Sequence, residues 1–198
     1  MRYEFEILES ETVYRGFFRL QRVRLRHSLF AGGWSPPLVR EVLRKGHAVA
    51  VLLYDPRRDQ VVMVEQFRIG ALEGPAGPWM LELAAGYVEE GESLEGVAHR
   101  EVAEETGCRV EALEPIASYH VSPGSDTEII HLYCARVDAE SAEGVHGLAD
   151  EGEDIRVRVF SFDEAQARIA DGTINSATPI LALQWLALHR DTLRDRWR

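Results

Sequence analysis

Three glutamates, Glu101, Glu104 and Glu105, lie in a stretch whose spacing makes their side chains converge. The run from Ser93 to Thr106 has helical apolar spacing, with Ser93 suited to the N-cap and Gly107 to the stop. At about 100° per residue, the three acids fall within roughly 100° of arc, on the face that also carries Leu94, Val97 and Ala98. A stripe that begins as core packing therefore ends in carboxylates. Carboxylates this close repel one another, and near a core they must be desolvated, protonated or neutralised by a cation. A donor set made only of oxygen suits a hard divalent ion such as Mg²⁺, or Mn²⁺ or another divalent ion in its place. The plainer alternative is a solvated acidic face with one Arg100–Glu104 pair at i,i+4.

The elements around this helix read as strands. Ala48–Tyr54 and Val61–Phe67 are joined by the hairpin signal Asp55–Asp59, and Trp79–Ala84 is a short strand leading to the acidic segment. Ile129–Val137 and Ile155–Phe162 are two more, with a Gly-, Ala- and acid-rich span, Asp138–Asp154, expected to be a mobile loop. Asp163–Asp171 and a helix from Pro179 to about Arg194 finish the chain, with Thr178 and Pro179 suited to N-cap and N1. Leu181, Trp185, Leu188 and Thr192 share one face of that last helix and point to core or dimer packing. The first 45 residues predict short antiparallel strands. In Leu20–His27, Val23, Leu25 and His27 alternate with three arginines; Ala31–Pro37 is a loop, and Val39–Lys45 is a strand ending at Gly46. Strands before and after a central helix predict α/β architecture. The expected organisation is an N-terminal β arm over residues 1–45 and one larger domain over 46–198.

Composition narrows the class. The chain has 198 residues, 45% of them hydrophobic, which is enough for a core and argues against disorder. The net charge of −11 argues against general affinity for nucleic acid. Residues 1–45 carry nine Lys+Arg against five Asp+Glu, leaving 13 against 28 for the rest. A basic arm beside an acidic body suggests docking within a subunit or between two; scattered surface arginines are the alternative. Cys108 and Cys134 make no disulfide framework and read as small apolar residues in a reducing compartment. The N-terminus has no apolar h-region and no stretch approaches 18 apolar residues, so a cytoplasmic protein without membrane attachment is expected.

The acidic segment fits a longer pattern, Gly-x5-Glu-x7-Arg-Glu-U-x-Glu-Glu-x-Gly-U, where U is an apolar residue. Gly86, Glu92, Arg100, Glu101, Glu104, Glu105 and Gly107 fill the fixed positions, with Val102 and Cys108 at the U sites. Seven fixed identities arise by chance on the order of 10⁻⁸ per starting position. The chain thus resembles the Nudix hydrolase superfamily. That resemblance implies an α/β/α sandwich with a mixed central sheet, here with a small N-terminal antiparallel β appendage. It also implies hydrolysis of a nucleoside diphosphate linked to a further group, assisted by two or more Mg²⁺ ions.

The whole chain resembles the bacterial ADP-ribose pyrophosphatases. Tyr14–Phe18, Gly46–Leu53, Glu65-Gln-Phe-Arg68, Ser122-Pro-Gly124, His146–Asp154 and Leu183–Leu186 carry the likeness, with Pro123 fifteen residues past Cys108. The resemblance implies metal binding by Ala85 (through its carbonyl), Glu101, Glu105 and Glu153. It makes Glu151 the general base, with Glu104 a second candidate. Arg68, Tyr87, Ser122, Pro123, Gly124 and Glu128 would line the substrate. Phe17, Phe18, Arg40 and Glu41 would come from the partner in a domain-swapped homodimer, an aromatic ring stacking on adenine. On residue pattern alone Phe17 and Phe18 are strand core, and Asp150–Asp154 is a solvated loop. Arg100 is expected to position Glu104 or Glu105, and Glu92 to join loop to helix. Lys45 stands where the family pattern has arginine, a point charge in place of a planar fork. The reaction implied is ADP-ribose to AMP and ribose 5-phosphate. GDP-mannose or another nucleoside diphosphate sugar is the alternative substrate, and a catalytically silent nucleotide-sugar sensor is the alternative of a different class.

Overall fold

The computed structural model describes residues 3–197. Eleven strands and three helices are present among them: β1 (Phe5–Arg15), β2 (Arg19–His27), β3 (Leu38–Arg44), β4 (His47–Asp55), β5 (Gln60–Phe67), β6 (Trp79–Glu82), β7 (Ala84–Tyr87), α1 (Leu94–Thr106), β8 (Ala112–His120), β9 (Ile129–Arg136), β10 (Val145–His146), β11 (Ile155–Ser161), α2 (Phe162–Ala170) and α3 (Ala177–Arg196). The chain forms two compact units, one of Met1–His47 with Tyr119–Ile130, the other of Ala48–Ser118 with His131–Arg198.

The first unit is built on an antiparallel sheet in the order β1-β2-β3. Val23 is the buried residue of β2, as its alternation with arginines predicts, whereas every residue of β1 is exposed. A single bridge joins Leu43 to Asp126, bringing the 122–128 segment to the β3 edge.

The second unit holds the larger sheet, ordered β10-β11-β5-β4-β9-β8. The strands β4 and β5 pair only over Leu53–Asp55 and Gln60–Val62, then separate. Into the gap goes one extended segment that changes partner: β6 pairs with β5, and β7 pairs with β4. The expected Trp79–Ala84 strand is therefore two, broken at Leu83 where the partner changes. This splay delivers Ala85 and Gly86 to the surface of α1.

Register fixes which side chains meet that helix. Val49, Val51 and Leu53 of β4, Val62 of β5 and Ala84 of β7 pack with Val97, Ala98 and Val102 of α1 in one core cluster. On the opposite face, Tyr54 donates through its hydroxyl to Asp59 (2.8 Å), which Arg190 of α3 also holds. Helices therefore cover both faces, giving the α/β/α sandwich with a mixed sheet.

Several expectations change. The last helix begins at Ala177 with Ser176 at its N-cap, so Pro179 lies in the first turn and Thr178 is not the cap. Its buried stripe is Ala182, Leu183, Leu186 and Leu193; Leu188 is 83% exposed, so the Leu181–Trp185–Leu188 face is not the core seam. The 138–154 span is a loop with local structure in it, two short 3-10 turns and the two-residue β10, with Ala139 and Ala142 buried. No helix among the described residues is long and apolar enough to cross a membrane.

Candidate active site

The site grows from the ends of α1. Ser93 caps its N-terminus by accepting from Gly96 N (3.1 Å), and Gly107 ends it at φ 67°, a left-handed conformation that suits glycine. Between these stops, Glu101 and Glu105 face the sheet and are buried, at 8% and 2% exposure. Glu104, one step round the helix, is partly exposed.

Gly86 sits on the α1-facing side of β7, opposite Val49. A Cβ there would lie 1.7 Å from Glu101 Oε1, so only glycine lets the backbone approach that carboxylate. One residue earlier, Ala85 N donates to Glu105 Oε2 (3.1 Å). The β7 backbone and the two acids are thus in direct contact. Burial pushes the Glu105 carboxyl up to about 8; Ala85 N–H and Arg68 oppose the rise, while the charges of Glu101 and Glu153 add to it. Burial also raises Glu101, against the opposing charge of Arg100 and with the help of Glu104 and Glu153.

Arg100 organises the outer side. Its guanidinium donates to Glu92 (2.9 and 3.1 Å), Glu101 (2.7 Å), Glu104 (3.1 Å) and the Tyr87 carbonyl (3.4 Å). It therefore orients Glu101 and Glu104, and its bonds do not extend to Glu105. Glu92 also accepts from Glu89 N (3.0 Å), joining loop to helix, and its carboxyl is held low by Arg100.

The 147–153 segment reaches the same helix end. Gly147 N donates to the Glu104 carbonyl (3.4 Å), and Glu153 Oε2 accepts from Leu148 N (3.0 Å). Glu151 lies exposed on a 3-10 turn whose C-cap is Gly152 at φ 71°. On the sheet, Arg68 donates through Nε to Glu82 Oε2 (2.7 Å). Motif spacing does not single out Glu82; its cross-strand position opposite Val64 becomes visible only in the folded register.

Among the described residues, no group of three or more His, Cys, Asp or Glu side chains stands in metal-holding geometry. The acids are instead engaged separately: Glu101 by Arg100, Glu105 by Ala85 N and Glu153 by Leu148 N. The donor chemistry nonetheless fits a hard divalent ion. It is all oxygen, two of its carboxylates are raised by burial, and the glycine cradle brings backbone to them.

The remaining sequence-singled residues lie in the first unit. Phe17 and Phe18 occupy the β1–β2 turn, edge to face at 4.8 Å, and Phe17 is 87% exposed, so neither is strand core. Arg40 and Glu41 are exposed on β3. Ser122–Gly124 form a turn in which Ser122 O accepts from Ser125 N (3.1 Å) and Asp126 N (2.9 Å). Glu128 is buried and paired with Lys45 Nζ (3.1 Å), which also meets Asp126 (3.3 Å) and lies 5.3 Å over the Phe18 ring. The lysine thus ties three neighbours together, by a hydrogen bond to Glu128, an ion pair with Asp126 and its charge over the Phe18 ring.

Comparison with known proteins places the chain in a family. The NUDIX domain family matches residues 44–181. An ADP-ribose pyrophosphatase from Escherichia coli (strain K12) is 47% identical over 192 residues, covering 97% of this chain and 92% of that protein. A GDP-mannose pyrophosphatase from Cronobacter sakazakii is 37% identical over 150 residues, covering 75% and 78%. A crystal structure of an ADP compounds hydrolase superposes with a TM-score of 0.74 at 22% identity, covering 98% of this chain and 96% of that one, which is a likeness of fold. With the acidic helix, its glycine cradle and the matched span in agreement, the chain belongs to the Nudix family of hydrolases.

Proposed function

We propose that this protein hydrolyses the pyrophosphate of ADP-ribose to AMP and ribose 5-phosphate, using Mg²⁺. The observation that carries the reading is the pair Glu101 and Glu105, buried beneath the Ala85–Gly86 backbone. It is joined by 47% identity, over nearly the whole chain, to a protein named for that substrate.

Glu101, Glu105, Glu153 and the Ala85 carbonyl would hold two or more divalent ions. When bound, such ions neutralise phosphate oxygens and lower the pKa of coordinated water. Arg100 keeps Glu101 and Glu104 oriented without touching substrate. Glu151, on its Gly-terminated turn, moves in and accepts the proton of the attacking water, with Glu104 the second candidate for that role. Water oxygen bonds to one phosphorus, and the bridging oxygen leaves with the other phosphate. Arg68, Tyr87, the Ser122–Gly124 turn and Glu128 line the substrate.

A homodimer completes this reading: Phe17, Phe18, Arg40 and Glu41 of the partner subunit reach the nucleotide. Its support is the arm itself, where Phe5 and Tyr14 on β1 and Phe17 in the β1–β2 turn are 73%, 64% and 87% exposed, in a segment of excess positive charge. The site of action is the cytoplasm, with no membrane or nucleic-acid partner. The 37% identity to a GDP-mannose pyrophosphatase makes GDP-mannose the alternative substrate. A turnover panel of ADP-ribose, GDP-mannose, NADH and diadenosine polyphosphates decides between them. The proposal expects ADP-ribose to show the highest kcat/KM; a higher value for GDP-mannose replaces it with the alternative.

A further inference from the structure

One buried polar atom beside the site takes no part in the proposed reaction. Gln66, on β5, is 7% exposed, and its Nε2 has no hydrogen-bond partner among the described residues. A buried donor left unpaired is costly, and native structures rarely keep one without a use.

Its position is set by register. The α1-facing residues of β5 run Val62, Val64, Gln66, because Val62 packs with α1 and Val64 pairs with Val157 of the same cluster. Across the ladder, Gln66 faces Met80 and Val64 faces Glu82, so Glu82 and Gln66 are diagonal neighbours on one face. Diagonal pairs lie within reach of long side chains. Glu82 already holds the Nε of Arg68 (2.7 Å), the arginine close enough to Glu105 to lower its pKa. The Arg68 side chain is 45% exposed against 20% for Glu82, so the cation is the solvent-facing member.

We propose that Glu82 and Gln66 form a hand-off that releases Arg68 to the anionic substrate. In the free protein Glu82 keeps Arg68 docked beside the acids, and the Gln66 amide waits unpaired. When a pyrophosphate draws Arg68 away, the half-buried Glu82 carboxylate loses its cation, and Gln66 Nε2 turns to donate to it. The movement of Arg68 then leaves no buried charge unsatisfied. Gln66 and Glu82 are positioning residues that act through Arg68 and do not touch the reacting atoms. This inference rests on the proposed contact between Arg68 and substrate.

The test compares Gln66→Met, which keeps volume and removes the donor, with Arg68→Ala, and repeats Gln66→Met in a Glu82→Gln background. Each variant is assayed for kcat and KM with ADP-ribose and Mg²⁺ and for Tm without substrate. Gln66→Met is expected to raise KM by about tenfold or more, the scale of a hydrogen bond to a charged group. Its kcat should change by less than about twofold, and its Tm should hold or rise, since an orphan donor is gone. A merely structural glutamine would lower Tm and spare KM. In the Glu82→Gln background, Gln66→Met should leave KM unchanged. An unchanged KM in Gln66→Met, or the same rise with and without the Glu82 carboxylate, overturns the hand-off while leaving the assigned reaction intact. An unchanged KM in Arg68→Ala overturns the Arg68 contact itself, and the hand-off with it.

Discussion

Glu105 concentrates the chemistry of this site in one side chain. It is 2% exposed, and burial lifts its carboxyl to about 8 from an ordinary 4.5. Without divalent ions the folded protein therefore holds a proton there that the unfolded chain has released. The sign follows: Glu105 contributes stability below pH 4.5 that is lost as pH rises toward 8. Denaturant unfolding in chelator at pH 5, 7 and 9 should show stability falling, and Glu105→Gln should flatten the fall; parallel curves for the two proteins would remove Glu105 as its cause. Glu151 offers a contrasting case, an exposed acid on a turn rather than a buried one. Glu151→Gln should lower kcat by about 10²- to 10⁴-fold with KM little altered. An unchanged kcat would pass the base role to Glu104. The α1 acids were legible in sequence because helical spacing alone makes them converge. Gln66 and Glu82 were not, since their proximity depends on how β6 pairs with β5.

At the scale of elements, the site depends on the β7–α1 junction. A Cβ at Gly86 meets Glu101 Oε1 at 1.7 Å, so Gly86→Ala must push that carboxylate aside. Activity should fall by about tenfold or more while the far-UV spectrum is retained, because misplacement near 1 Å costs rate without unfolding. Near-native turnover would mean that the carboxylate position is not critical. Ser93→Ala should behave oppositely, losing about 1 kcal/mol of stability with the lost cap while keeping its activity. Helix α1 could be read from sequence because cap, period and stop agree. The strand β8 could not: Pro115 interrupts its pattern, and only its place at the sheet edge lets that proline be tolerated. The Trp79–Ala84 segment reads as one strand because no local signal marks a change of partner. The 138–154 span looks like loop by composition, yet Ala139 and Ala142 anchor it in the core.

For the whole molecule, the proposed dimer makes separate claims. A form lacking residues 1–45 should be monomeric, keep the α1 acids and bind ADP-ribose poorly. Mixing Arg40→Ala with Glu151→Gln should restore part of the activity, because a mixed dimer holds one site with both native residues. No recovery after verified subunit exchange, together with a monomer in sedimentation, would contradict the shared site. Charge asymmetry and the resemblance pointed to this arrangement, but the turn placing Phe17 at 87% exposure came only with the β1–β2 register. The central claim, that the α1 acids support metal-dependent hydrolysis of ADP-ribose, has a more direct test. Initial rates with ADP-ribose are measured across free Mg²⁺ for the native protein and Glu105→Gln, with products separated by chromatography. AMP and ribose 5-phosphate are expected in equal amounts, with a saturable Mg²⁺ dependence and loss of most turnover in the variant. Turnover independent of divalent ions, or Glu105→Gln retaining more than about half the native rate, where a ligand loss typically costs tenfold or more, would contradict it.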